Sequence, residues 1–85
     1  LVRENNQDSY TAFELDGAVV AVVCDGMGGA AEGALASNRA VRSIKEYIVE
    51  RFYNGMSDIS IKSLLLSAIE NANRDVYTFF LERWI

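Results

Sequence analysis

Seven consecutive apolar residues, AVVAVVC at Ala18 to Cys24, constrain this chain more than any other stretch. The run is too short to cross a bilayer and gives way to Asp25 and a set of glycines, so it reads as a strand. A half-buried strand alternates apolar with polar residues. One that is apolar at every position wants both faces covered. The segment before it, Ser9 to Leu15 (SYTAFEL), does alternate, and Asp16-Gly17 separates the two. Asp-Gly between β-prone runs predicts a hairpin, because both central residues of a type I′ turn need positive φ.

Helical periodicity takes over after the glycines. From about Ala30 to Phe52, residues Val41, Ile44, Ile48 and Phe52 recur at helical spacing, with Ala40 and Tyr47 widening the stripe. Asn54-Gly55 marks the stop. A second helix is expected from Ser57 or Ser60, either of which suits an N-cap, to about Trp84. Leu65, Ala68, Ile69, Ala72, Val76, Phe79 and Phe80 are expected on one side of it. The fold class is therefore α+β: an N-terminal β-hairpin followed by two long helices.

This inventory leaves the valine strand only half provided for. Two helices cover one face of a sheet, and two strands alone make a poor independent sheet. Either the chain pairs with copies of itself through the unsatisfied sheet, or it is the first part of a larger domain. Its 85 residues are one domain at most, and it opens on Leu1, which fits a piece of something longer. With 51% hydrophobic and 24% charged residues it is globular rather than disordered. A net charge of −4 argues against a nucleic-acid surface, and no signal peptide or membrane span is visible. One cysteine rules out an internal disulfide framework, and the lack of histidine removes zinc's commonest ligands. These features suit a cytoplasmic setting.

The hairpin register places the acids. With a two-residue loop at Asp16-Gly17, Leu15 faces Ala18 and Asp8 falls opposite Asp25. Their Cβ atoms are then expected roughly 5 Å apart. Like charges so opposed are destabilising unless a cation sits between them. Carboxylates, backbone carbonyls and water are the ligands of Mg²⁺, Mn²⁺ or Ca²⁺. Gly26, Gly28 and Gly29, lacking side chains, let the backbone come close to a bound ion or anion. The plainer reading makes Asp25 a helix N-cap or turn residue and Asp8 a strand start.

RENNQDSY followed one hairpin later by VVCDGMGG and GALAS resembles the N-terminal part of the metal-dependent protein serine/threonine phosphatases of type 2C, in their bacterial form. The resemblance covers nearly the whole chain in order and spacing. It implies that Asp25 bridges two Mn²⁺ or Mg²⁺ ions, that Gly26 offers its carbonyl, that Asp8 holds metal-bound water and that Arg3 meets the substrate phosphate. It also implies an α-β-β-α sandwich of two antiparallel sheets, which would bury both faces of the valine strand. The implied activity is hydrolysis of phosphoserine and phosphothreonine proteins by a water that two metal ions activate, without a covalent intermediate. Residues 1–85 correspond to the N-terminal part of such a catalytic domain, expected to bind metal weakly and to be inactive alone, because the family's further metal-binding aspartates lie in a later segment.

Departures from the family pattern are local. Gln7 stands where many members have Glu, Ala30 where bacterial members usually have His, and Ala34 where Glu is common. Other chemistries fit less well. A cysteine-dependent phosphatase would need Arg after five intervening residues from Cys24, and that position is Ala30. Gly26-x-Gly28-x-x-Ala31 matches the dinucleotide fingerprint, yet the acidic strand end required about twenty residues on is replaced by Glu46 and Glu50 within a helix. The stronger rival is a non-catalytic, self-associating or binding piece on the same scaffold. Trp84 and the Phe79-Phe80 pair are expected either in the core or against a partner.

Overall fold

The computed structural model describes residues 3–4, 8–25 and 30–83, with side chains over 10–24 and 33–82. Strand β1 is Arg3–Glu4, β2 is Asp8–Leu15 and β3 is Ala18–Asp25; helices α1 and α2 are Ala30–Arg51 and Asp58–Arg83. The strands form one antiparallel sheet in the order β1-β2-β3. The hairpin followed by two helices is the expected α+β arrangement, with β1 as an addition. Two residues are too few to show a period, which is why β1 left no mark in the pattern.

Asp16 and Gly17 both take positive φ, 37° and 90°, as a primed turn requires. From there Leu15 pairs with Ala18, Phe13 with Val20, Thr11 with Val22 and Asp8 with Asp25. The loop therefore fixes the pairing without a bulge. Each strand runs one residue further than the sequence pattern indicates, to Asp8 and to Asp25.

Alternation divides the sheet into two unlike faces. Thr11, Phe13 and Leu15 on β2, with Ala18, Val20, Val22 and Cys24 on β3, are buried or half-buried on the side where α1 packs. On the other side Ala12, Glu14, Val19, Ala21 and Val23 are exposed. Val19 and Val23 each keep 73% of their surface in contact with solvent. The apolar strand thus has one face covered and one bare. The core lies between the layers, where Ile48, Leu64 and Ala68 are buried and Phe13, Leu15, Val20, Ile44, Tyr47, Phe52 and Met56 close around them.

Helix α1 contacts both long strands and α2, so it is the middle layer. Its stripe behaves as its spacing indicates: Val41 and Ile48 are buried, and Ala40, Ile44, Tyr47 and Phe52 are half-buried. Helix α2 differs from expectation. Leu64, Ala68 and Ala72 are buried against α1, while Leu65 and Ile69 remain 40% and 49% exposed. Leu64, Leu65 and Leu66 are consecutive, so periodicity leaves the phase of the helix open and packing against α1 selects Leu64. The Phe79-Phe80 pair also splits. Phe79 lies under the guanidinium of Arg39, 4.3 Å from its carbon, whereas Phe80 joins Val76, Tyr77 and Leu81 on the outer side. Trp84 lies outside the described residues. Among those described, no helix is long and apolar enough to cross a membrane.

Arg39 also joins the helices through Asp75, with Nε to Oδ2 at 2.9 Å and Nη2 donating to Oδ1 at 3.2 Å. The start of α2 is closed by Ser57, whose Oγ accepts the Ser60 N–H at 3.1 Å and lies 3.0 Å from the Ser60 hydroxyl. Ser57, rather than Ser60, is thus the N-cap. Ser57→Ala is expected to cost about 1 kcal/mol and to lower the thermal midpoint by roughly 4–8 °C. Ser60→Ala, which keeps the backbone donor, should cost less, and circular dichroism melts of the two variants check the difference.

Candidate metal and phosphate site

The carboxylate pair follows directly from the turn. Asp8 opens β2 and Asp25 closes β3, and the two are cross-strand partners at the end of the hairpin away from Asp16-Gly17. Two rows nearer the turn, Arg3 on β1 pairs with Tyr10 on β2, which pairs with Val23 on β3. Positions separated by two along a strand share a face. Positions 3, 8 and 25 therefore belong to the sheet face that α1 leaves bare, at the same end of the sheet. The three candidates spread along the sequence converge on one corner of the fold.

Gly26, Gly28 and Gly29, with Gln7, lie outside the described residues. The backbone places segment 26–29 between the end of β3 and the first residue of α1, Ala30. Asp25 is consequently a strand-end residue paired across the sheet. Among the described residues no group of three or more His, Cys, Asp or Glu side chains stands together. A divalent ion at Asp8 and Asp25 would need backbone carbonyls, water or further carboxylates to complete its shell.

Cys24 immediately precedes Asp25 and pairs with Ser9. It lies half-buried on the face toward α1, and burial pushes its thiol up from the ordinary cysteine range. A raised pKa depletes the thiolate, the nucleophilic form. The environment thus agrees with the sequence in making Cys24 a packing residue.

Other depressions occur among the described residues. A polar cleft between the helices is lined by Arg39, Arg42, Glu46, Asn71 and Asp75, but Arg39 and Asp75 are committed to each other. An apolar groove runs beside β3, between Val20, Val22 and Cys24 of the strand and Ile44, Leu65 and Ile69 of the helices. It follows from the phase of α2, which turns Leu65 and Ile69 outward. Sequence reasoning placed those two residues in the stripe facing the core and so missed the groove.

A family model described as protein phosphatase 2C matches residues 2–83. No curated protein and no solved structure compared with the chain gives a match.

Proposed function

The chain belongs to the protein phosphatase 2C family, and from that premise we propose that it forms the N-terminal part of a metal-dependent serine/threonine phosphatase domain. The observation that carries the reading is the register, which sets Asp8 opposite Asp25. Two opposed carboxylates fit a hard divalent cation, Mg²⁺ or Mn²⁺, and have little reason to face each other otherwise. When bound, such ions supply Lewis-acid activation of water and neutralise charge at phosphorus.

In this reading the chain's own residues have distinct parts. Asp8 and Asp25 concentrate negative charge at the sheet end and hold the cations, while Gly26 contributes its carbonyl. Arg3, on the same face, binds the phosphate of a phosphoserine or phosphothreonine, its planar fork matching two phosphate oxygens. The remaining ligands come from a further segment, which also covers Val19, Ala21 and Val23. The setting proposed for the domain is cytoplasmic.

Calorimetric titration with Mn²⁺, with p-nitrophenyl phosphate turnover followed in the same samples, tests the proposal. The chain is expected to bind Mn²⁺ weakly, Asp25→Asn to bind none, and neither to turn over substrate alone. Equal Mn²⁺ binding by the two proteins, or none by either, removes the metal reading. The bare face, where Val19 and Val23 are 73% exposed, also favours a second reading, a non-catalytic piece that self-associates through its sheet. Sedimentation of those samples separates the two: a monomer speaks for an incomplete domain, and a tight dimer without metal binding for assembly alone.

A further inference from the structure

Strand β3 is the last strand of the described sheet, whose order is β1-β2-β3. The turn at Asp16-Gly17 makes Leu15 and Ala18 a hydrogen-bonded pair, and such pairs alternate with non-bonded ones along the antiparallel register. The N–H and C=O groups of Val19, Ala21 and Val23 therefore point away from β2. Among the described residues no other main chain pairs with them. An apolar groove opens along this same edge, with Val20, Val22 and Cys24 on its sheet side and Ile44, Leu65 and Ile69 on its helix side. Helix α2 packs on α1 and on no strand, so Leu65 and Ile69, 40% and 49% exposed, border a gap beside β3 that the sheet does not fill.

We propose that the free edge of β3 and this groove together form a strand-addition site for an extended segment of another polypeptide whose alternate side chains are aliphatic. Main-chain pairing selects the occupant. A helix satisfies its own backbone and would leave the row at Val19, Ala21 and Val23 unpaired, whereas a strand placed about 4.8 Å away pairs it. The side chains of that strand alternate between two faces. One set enters the groove against Ile44, Leu65 and Ile69 and must be apolar, because a charge there is buried without a partner. The other set lies beside Val19 and Val23 on the bare face, where polar and apolar residues are both accepted. A second copy fits worse: its β3, paired antiparallel in the same sheet, carries its own α1 on the groove side, in the space that α2 borders here. The site needs neither Asp8 nor Asp25, and so stands or falls apart from the metal reading.

The test is NMR and sedimentation of the 85-residue chain with a lysine-flanked peptide of alternating valine and threonine, and with an all-threonine control peptide. At saturation the first peptide should slow amide exchange at Val19, Ala21 and Val23 by about tenfold or more and leave Val20 and Val22, already bonded to β2, unchanged. Ala21→Pro removes an N–H that faces away from β2, so the hairpin keeps its ladder while an added strand loses its partner, and binding should fall roughly tenfold or more. Ile69→Ser should weaken binding about tenfold through the groove, and the control peptide should bind as weakly to the parent. Binding that survives Ala21→Pro overturns strand addition, and equal binding of the two peptides overturns the part given to the groove. No binding by the parent overturns the site. A dimer of the free chain that Ala21→Pro dissolves overturns the choice of occupant in favour of a second copy. If Ala21→Pro does not fold, the parent decides: unchanged exchange at Val19, Ala21 and Val23 with the peptide bound refutes the pairing.

Discussion

Replacing Ile48 by alanine is expected to lower the thermal midpoint by roughly 12–24 °C, from a loss of about 3 kcal/mol. Ile48 is 1% exposed, the largest fully buried side chain among those described, and it stands where the sheet, α1 and α2 meet. Truncation there removes apolar burial and leaves a cavity lined by Leu64, Ala68 and strand residues, which the packed surroundings close only in part. A chain of this size holds about 4–13 kcal/mol in total at the usual stability per residue. A sheet with one apolar face in water belongs at the low end of that range, so the loss is a large share of the whole. Val49→Ala, one residue on but 46% exposed, is the control and should cost under about 0.5 kcal/mol. Thermal melts by circular dichroism decide it. Equal effects at the two positions would mean that the core is centred elsewhere.

The hairpin was legible in the sequence because one local element determines it. Asp16-Gly17 fixes both turn type and register, and a period-two pattern then carries the register to Asp8 and Asp25 at the far end of the hairpin. The first helix was legible for a similar reason: its apolar residues are separated by polar ones and define a single phase. The second was not. With Leu64, Leu65 and Leu66 in succession, several rotations of the helix bury comparable area, and only the shape of α1 chooses among them. That choice turns Leu65 and Ile69 outward and opens the groove beside β3. Pairing of Arg3 with Tyr10 escaped notice too, since β1 is too short for any periodic signal. Of the candidate site, proximity of the two acids was readable from the turn. Their chemical roles were not, because cation binding depends on ligands brought together from elsewhere in space, which local patterns do not encode.

The opposed acids lead to an effect whose sign should change with metal. In EDTA, Asp25→Asn removes repulsion between directly paired like charges and is expected to stabilise the chain by about 0.5 kcal/mol. With Mn²⁺ at a hundred times its dissociation constant, the parent gains about 2.7 kcal/mol by mass action, a gain that Asp25→Asn forgoes. Parent and variant therefore exchange order, the variant becoming about 2 kcal/mol the less stable, or roughly 8–16 °C in midpoint. Asp8→Asn should behave alike. The double variant should differ little from either single variant in both conditions, because each change removes the same pairwise term. A merely structural pair of strand-end residues predicts no reversal: whatever Asp25→Asn does in EDTA it would also do in Mn²⁺. Thermal melts of the four proteins in both conditions separate the alternatives without any need for turnover, so they interrogate the acids directly. A reversal would show that Asp8 and Asp25 act on one cation. Its absence would return them to the surface of the sheet.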